Sequence, residues 1–125
     1  MVDFNAADAN LVGQLPDIFH AFPNLQNLVL SHNDLFGPLP RSLALSTNLQ
    51  TLHLNDQLYG FFGTVDDLFS SNPNCSLIQV WLHKNRFTGQ IPDISKCNKL
   101  RNLELRDNQF TGIVPTSLMQ HSSLV

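Results

Sequence analysis

Apolar residues recur along this chain at a spacing that returns about every 24 residues. The clearest copy combines apolar positions with an Asn, a Gly and a Pro: Leu25, Leu28, Leu30, Asn33, Leu35, Gly37, Leu39 and Pro40. The same order returns over residues 77–92 and 100–115, with Val, Ile or Phe at some of the apolar positions. Three near-complete copies in one register indicate an internal repeat, and repeats of this length are the signature of a solenoid.

Two further copies are incomplete. The first begins at Met1 and has Ala9 in the Asn position, and the third begins at Leu49 and has Gln57 there. The predicted repeats span residues 1–24, 25–48, 49–76, 77–99 and 100–123, and Leu124 begins another. We therefore predict a single domain over residues 1–125, in which only the third repeat is long.

This consensus is the leucine-rich repeat, which predicts an α/β fold, a right-handed solenoid of about five coils. Leu28 and Leu30 are two residues apart, as a short strand with one buried face requires. Neighbouring coils are expected to pair these strands into a parallel sheet on the concave face. The convex side is expected to be irregular or 3-10 helical.

Polar and special residues at the turns of the coil have predictable roles. A side-chain amide both donates and accepts hydrogen bonds, so it can satisfy backbone groups inside the coil. We predict such a structural ladder from the four residues in the Asn position: Asn33, Gln57, Asn85 and Asn108. The glycines that follow them permit a tight turn because glycine tolerates positive φ.

Neither end of the chain resembles the polar cap that a repeat array requires. We therefore expect an uncapped fragment of a longer protein, with Met1 as an added start; a short complete protein is the alternative. The chain carries 7 Lys and Arg residues without clusters and has no apolar run of membrane-spanning length. This composition argues against a nucleic-acid partner and against membrane contact by this segment.

The sequence contains no motif for catalysis, cofactor binding or metal binding. It lacks the glycine-rich phosphate loop, the nucleophile elbow and the zinc-protease signature. His32, His53 and His83 fall on neighbouring coils, but no carboxylate set accompanies them. We expect no enzymatic activity, no cofactor and no metal; a pH-sensitive contact is the more plausible role for these histidines.

Cys75 and Cys97 lie just before the starts of adjacent repeats. A disulfide between them is geometrically possible, but we favour two buried free thiols that fill small apolar sites. Asn74-Cys75-Ser76 is the one glycosylation triplet in the chain, which makes Asn74 a candidate acceptor.

Alternating residues of each strand face outward on the concave side. One outward column reads Asn5, Val29, His53, Trp81 and Glu104, and the next reads Ala7, Ser31, Asn55, His83 and Arg106. Exposed Trp and Arg are typical anchors of protein interfaces. We predict a partner-binding surface, here called the Trp81 patch, made of His53, Asn55, Trp81, His83, Lys84, Glu104 and Arg106. The alternative is that Trp81 only packs over its neighbours.

The third repeat is swollen over Leu58 to Val65, a stretch rich in Phe, Tyr and Gly. One interpretation is a protruding loop that helps to hold a partner. The other, which we favour, is that at least one of Phe61 and Phe62 refills the core where the pattern slips.

Two segments resemble the transmembrane-kinase family of plant receptor-like kinases: residues 80–89, Val-Trp-Leu-His-Lys-Asn-Arg-Phe-Thr-Gly, and residues 103–112, Leu-Glu-Leu-Arg-Asp-Asn-Gln-Phe-Thr-Gly. The resemblance covers the whole chain and places it in the first repeat block of the ectodomain. It implies a location in the apoplast, on the extracellular side of the plant plasma membrane. It also implies auxin-type signalling, with a secreted cupin-fold auxin-binding protein or a co-receptor as partner; in that family, membrane attachment and kinase activity lie elsewhere.

Three functional classes follow from these observations. The first is a ligand-recognition segment of a receptor kinase that binds a protein partner through its concave face. The alternative is a secreted repeat protein that inhibits a microbial wall-degrading enzyme, although that class has capping cysteine pairs. A structural or ice-binding repeat protein fits least, because the outward columns mix charges with Trp81.

Overall fold

The structure, a computed structural model, describes residues 1–120 of the chain, so the further repeat predicted at Leu124 lies outside the described residues. Its strands are β1 (Asp3–Asn5), β2 (Val12–Gln14), β3 (Asn27–Val29), β4 (Asp34–Gly37), β5 (Thr51–His53), β6 (Gly60–Gly63), β7 (Gln79–Trp81), β8 (Arg86–Phe87) and β9 (Asn102–Glu104). They form two parallel sheets, and each coil supplies one strand to the first of them. The predicted leucine-rich-repeat solenoid is confirmed.

The first sheet has the order β1-β3-β5-β7-β9, so neighbours in space are one repeat apart in sequence. Its central residues are aligned across the coils: Phe4, Leu28, Leu52, Val80 and Leu103. Leu52 and Val80, in the middle of this row, have no exposed surface. In β3, β5 and β7 this register buries the central residue, which is the reason that the apolar residues recur with the repeat.

A second sheet, of order β2-β4-β6-β8, runs beside the first and was not predicted. Its strands follow the Asn position, where each coil leaves its turn and runs alongside the previous coil. In β4, Leu35 is buried while the flanking Asp34 and Phe36 are half-buried. Neighbouring coils therefore pair through two sheets. The second pairing gives hydrogen-bond partners to the backbone N–H and C=O groups of the extended segments that follow the Asn position.

Short helices close the coils on the side away from the first sheet. They are a 3-10 helix (Phe19–Ala21), α1 (Arg41–Ala44), α2 (Asp66–Ser70) and α3 (Thr116–Gln120). The expectation of irregular or 3-10 structure therefore holds for the first coil and for the fourth, which has no helix, whereas α1, α2 and α3 are single α-helical turns. Within residues 1–120, no helix has the length and apolar character needed to cross a membrane.

Part of the extra length of the third repeat lies just after the Asn position. Leu58 and Tyr59 are inserted between Gln57 and β6, and they project outward with 77% and 62% of their surface exposed. Phe61 is fully buried and stacks on Phe87 of the next coil, with ring centroids 6.2 Å apart. The prediction that an aromatic residue refills the core is confirmed for Phe61. Phe62 lies on the opposite face of β6 and is 44% exposed.

Cys75 and Cys97 are joined in a disulfide, with Cα atoms 4.9 Å apart. The preferred interpretation of two free thiols is therefore wrong. Both residues are buried, and adjacent coils bring their backbones within the range that a disulfide spans. The repeat spacing alone had left this geometry open.

The side chains in the Asn position occupy the interior of the coils and bond to backbone groups. Asn85 Nδ2 donates to the Leu54 and Leu82 carbonyl oxygens at 2.9 and 3.2 Å, and its Oδ1 accepts from Phe61 N–H at 2.9 Å. Asn108 makes the matching bonds one coil later, where its Oδ1 accepts from Phe87 N–H at 3.0 Å. Each carboxamide thus ties its own turn to the preceding coil. Asn33 and Gln57 repeat this arrangement earlier in the stack.

Candidate functional site

The concave face of the first sheet carries the outward column that contains Trp81. Strand pairing places Val29 beside His53, His53 beside Trp81, and Trp81 beside Glu104. Three different kinds of side chain, imidazole, indole and carboxylate, therefore lie next to one another although they are more than 20 residues apart in sequence.

Trp81 is held by two contacts rather than freely exposed. Its indole stacks on the His53 imidazole, with ring centroids 3.8 Å apart and planes 4° apart. Its Nε1 donates a hydrogen bond to Asn102 Oδ1 at 2.8 Å, and His53 Nε2 lies 2.7 Å from Gln79 Oε1. The Trp81 ring is therefore half-buried and packs on the adjacent coil. Gln79 and Asn102, which the sequence reasoning missed, orient the two rings.

Asn55 and His83 are buried, contrary to the expectation that they face solvent. Their exposed fractions are 4% and 7%. Asn55 Oδ1 accepts a hydrogen bond from Ser31 Oγ at 2.7 Å, and the His83 ring lies 6.1 Å from the Trp81 ring. Both residues belong to the outward column, but Asn55 contacts Ser31 and His83 contacts Asp56 on the preceding coil. They therefore form the floor of the Trp81 patch.

The next residue of each coil adopts a left-handed backbone conformation. These residues are Asp8, His32, Asp56, Lys84 and Asp107, with φ between 54° and 62°. Such φ values are uncommon for residues other than glycine, and here they recur once in every coil. They lie three residues after the end of each strand and turn the chain toward the Asn position.

Asp56 lies at the centre of a charged cluster that this turn brings together. Its Oδ1 is 3.4 Å from Lys84 Nζ, and its Oδ2 is 3.5 Å from His83 Nε2 and 3.9 Å from His32 Nε2. Asn55 Nδ2 also donates to Asp56 Oδ2. His32, Asp56 and Lys84 occupy one column of the repeat, together with Asp8 and Asp107, but the predicted patch does not include Asp56. The alternation of charge along that column was the available signal.

Burial and neighbouring charges shift the pKa values of this region. Burial lowers the pKa of His53, and the nearby His83 lowers it further, while the hydrogen bond with Gln79 opposes the change. Burial also lowers the pKa of His83; Arg106 adds to this effect, and Asp56 opposes it. Burial raises the pKa of Asp56, but the hydrogen bonds from Asn55 and Lys84 outweigh it, so the net pKa is lowered.

Within the described part of the chain, one nitrogen of His83 has no hydrogen-bond partner. Its Nδ1 is buried and unpaired, whereas its Nε2 faces Asp56. Protonation of the ring places a hydrogen on Nδ1 with no acceptor, which is costly in a buried site. The neutral form of His83 is therefore favoured.

Arg106 and Glu104 form the rim of the patch on the last coil. Arg106 Nε is 3.5 Å from Glu104 Oε2, and the two side chains are 58% and 41% exposed. Lys84 is similarly open, with 52% of its side chain exposed. The patch thus has an aromatic centre on His53 and Trp81 and a charged rim, an arrangement typical of protein–protein interfaces.

The other predicted site residues lie outside this patch. Asn74 is exposed in the turn between α2 and β7. Cys75 and Cys97 are buried behind it, and the carboxamide ladder lies inside the coils. Among residues 1–120, no group of three or more His, Cys, Asp or Glu side chains is arranged to hold a metal ion.

Comparison with known proteins identifies the repeat and its relatives. The Leucine Rich Repeat family model matches residues 24–45 and 99–121. Receptor-like kinase TMK4 of Arabidopsis thaliana is 50% identical over 91 residues, which cover 73% of this chain and 9% of that protein. Receptor-like kinase TMK2 of the same organism is 35% identical over 131 residues. This match covers 98% of this chain and 14% of TMK2. The chain thus spans about a tenth of the length of these relatives.

Solved structures of plant receptors have the same architecture. The crystal structure of a TDR receptor superimposes with a TM-score of 0.87 and 33% identity, covering 98% of this chain and 21% of that one. The leucine-rich-repeat ectodomain of the plant membrane receptor kinase GASSHO1/SCHENGEN3 from Arabidopsis thaliana, in complex with CASPARIAN STRIP INTEGRITY FACTOR 2, gives a TM-score of 0.85 at 30% identity. The match covers 99% of this chain and 14% of the GASSHO1/SCHENGEN3 chain.

The matched region is thus like a receptor ectodomain and unlike a catalytic domain. The chain belongs to the leucine-rich-repeat family and is a relative of the plant receptor-like kinases TMK4 and TMK2.

Proposed function

We propose that this chain is a ligand-recognition segment of a plant receptor kinase and that it binds a protein partner through the Trp81 patch. The observation that carries the proposal is the stacked pair of His53 and Trp81 at the centre of the concave sheet, beside the exposed charges of Lys84, Glu104 and Arg106. Aromatic residues with an adjoining Arg are the residue types that dominate binding energy at protein interfaces.

Two further observations support this proposal. The Asn102 and Gln79 hydrogen bonds hold the aromatic pair in place, so little side-chain entropy is lost when a partner binds. The ectodomain of GASSHO1/SCHENGEN3, which has the same architecture, is in complex with CASPARIAN STRIP INTEGRITY FACTOR 2. By relationship to TMK4 and TMK2, we extend the proposal to the extracellular side of the plasma membrane, to auxin-type signalling, and to a secreted cupin-fold auxin-binding protein or a co-receptor as partner.

The binding site is tested with one patch variant and one matched surface control. Trp81→Ala removes the aromatic anchor, while Leu45→Ala truncates a half-exposed apolar side chain at the end of α1, away from the first sheet. The immobilised chain is offered a purified cupin-fold auxin-binding protein, with and without auxin, and separately extracellular wash fluid with a cross-linker. Trp81→Ala is expected to weaken capture by roughly 2 kcal/mol or more, while Leu45→Ala binds as the wild type does.

Circular dichroism of both variants separates a binding role from a folding role. Retention of wild-type affinity in a folded Trp81→Ala variant would exclude the patch as the site. Loss of the folded state in Trp81→Ala would show that Trp81 is a core residue. Failure of the cupin-fold protein alone would exclude that partner and leave the patch to be tested with the cross-linked material.

The receptor context requires a separate measurement. An antibody against this chain is used to probe fractionated plant tissue. A band far larger than 14.0 kDa in the membrane fraction is expected for a receptor kinase. A small soluble band in the cell-wall fraction would contradict this expectation and favour a secreted inhibitor of a microbial wall-degrading enzyme.

A further inference from the structure

The triplet Asn74-Cys75-Ser76 lies outside the Trp81 patch and takes no part in the proposed binding function. Asn74 is exposed, and its backbone N–H donates to Asn72 Oδ1 at 3.0 Å. Among residues 1–120 its own carboxamide makes no hydrogen bond. The nitrogen that would carry an N-linked glycan is therefore free and faces solvent, in the residue pattern that oligosaccharide transfer requires.

The central residue of this triplet is anchored in the core. Cys75 is bonded to Cys97, and their exposed fractions are 7% and 0%. Ser76 is half-buried, and its hydroxyl donates to the Asn74 carbonyl oxygen at 3.4 Å. The closed disulfide therefore restrains the backbone beside Asn74 from moving away from the core.

We propose that Asn74 accepts an N-linked oligosaccharide before Cys75 pairs with Cys97, so that disulfide closure limits how much of the protein becomes modified. Cys97 follows Cys75 by 22 residues. The acceptor triplet is therefore complete in the growing chain before the pairing partner exists. Glycan transfer to Asn74 and disulfide formation by Cys75 compete because Cys75 is the middle residue of the acceptor triplet.

The transfer itself is a substitution without a redox change. The donor is an oligosaccharide linked through C1 to a lipid diphosphate. The Asn74 Nδ2 forms a bond to C1, the bond from C1 to the diphosphate oxygen breaks, and the diphosphate leaves with the electron pair. The amide nitrogen loses one proton to a base of the transferase. The disulfide forms later in the same oxidising compartment, where such bonds persist.

The position of the glycan is compatible with the proposed binding function. Asn74 precedes β7, whereas Trp81 ends that strand and His83 and Lys84 follow it. The modified side chain therefore lies at the opposite end of the strand from the charged cluster. The inference rests on the extracellular location proposed above, but the acceptor capacity of Asn74 is measurable whether or not the patch binds a partner.

The test directs the full chain through the secretory pathway of cultured plant cells with an added leader. A peptide N-glycosidase then releases any glycan and converts modified Asn74 to Asp, and mass spectrometry of the denatured chain gives the occupancy. Ser76→Ala removes the required hydroxyl, and Ser76→Thr restores it. Cys97→Ser leaves Cys75 without its partner, and wild-type chain synthesised with added reductant provides the same condition without a mutation.

We expect partial occupancy in the wild type, none in Ser76→Ala, and an occupancy in Ser76→Thr at least equal to the wild type. Occupancy is expected to be roughly twofold higher in Cys97→Ser and in the reductant-treated wild type. Absence of glycan in every sample would overturn the site itself. Full occupancy in the wild type, or equal occupancy with and without the disulfide, would overturn the competition. Because denatured chains are analysed, occupancy can be measured in Cys97→Ser whether or not that variant folds.

Discussion

The imidazole of His53 lies parallel to the indole of Trp81 on the next coil, with ring centroids 3.8 Å apart. Sheet register brings the two residues into this contact, since His53 and Trp81 are aligned partners in β5 and β7. Gln79 and Asn102 bond to the outer atoms of the two rings. The pair is therefore a rigid element of the concave face and an internal reporter on it.

Trp81 is the only tryptophan of the chain, so its fluorescence reports the charge of His53. A protonated imidazole stacked on the indole is expected to quench emission, by cation–π contact and electron withdrawal. Because burial lowers the pKa of His53, the loss of fluorescence should have its midpoint below the usual value of about 6.5. The measurement is a fluorescence titration from neutral to acidic pH.

Two variants test whether His53 is the residue that causes the fluorescence change. His53→Gln is expected to remove most of the quenching, while His83→Gln, whose ring lies farther away at 6.1 Å, should keep it. A titration that is unchanged in His53→Gln would contradict the assignment.

The stability of the fold should decrease in mild acid. The pKa values of His53 and His83 are both lowered in the folded protein, chiefly by burial. Below about pH 6.5 the unfolded chain therefore binds protons that the folded chain does not, and the free energy of unfolding falls with pH. Above that pH, His53 and His83 contribute no pH dependence. Urea denaturation at a series of pH values measures this slope.

Burial is the main cause of the lowered pKa of His83; the charges of Arg106 and Lys84 lower this pKa further, and those of Asp56 and Glu104 oppose the change. In His83→Gln the fall in stability between pH 7 and pH 5 should become shallower. His20→Gln, at an exposed histidine of the 3-10 helix, is the control for replacing a histidine outside the patch. Equal slopes in all three proteins would show that His83 is not responsible.

Asn85→Ala should be among the most destabilising polar substitutions in the chain. It removes the partner of Phe61 N–H and of the Leu54 and Leu82 carbonyl oxygens, all inside the stack. Each buried group without a partner costs about 1–3 kcal/mol, so a loss of about 3 kcal/mol is expected. Chemical denaturation gives the free energy of unfolding.

The matched control for this variant is Asn108→Ala, which removes the equivalent bonds one coil later. Asn108 is only half-buried, so water replaces some of its bonds and the cost should be smaller. Equal losses in the two variants would indicate that burial does not determine the strength of the ladder.

Gly60 and Gly63 of β6 provide a second matched pair. Both have positive φ, 94° and 87°. A Cβ at Gly60 would lie 3.2 Å from the backbone of Asn85 and Arg86, whereas at Gly63 the nearest atom is 3.9 Å away, on Pro38. Gly63→Ala should cost about 1–2 kcal/mol from backbone strain alone. Gly60→Ala should cost more because it also forces two coils apart, and thermal denaturation of both variants would reveal equal costs if crowding has no effect.

Much of the architecture follows from local rules that the sequence displays. Leu28 and Leu30, and likewise Val80 and Leu82, alternate with outward residues, and this alternation identified the first sheet and the faces of its strands. The four residues of the Asn position were recognisable because a carboxamide repeats at one place in every coil. The second sheet was missed because its strands show only a short alternation around a turn, such as Asp34 to Phe36.

The sequence by itself determined the repeat, the register and the identity of the outward columns, because each depends on spacing within one coil. Only the tertiary structure decided which of those side chains are open to solvent, and it buried Asn55 and His83 while leaving Lys84 and Arg106 exposed. It also decided the Cys75–Cys97 bond, the stack of His53 on Trp81 and the contacts of Asp56. These features depend on distances of a few ångströms between neighbouring coils, and such distances are set by how the coils pack on one another.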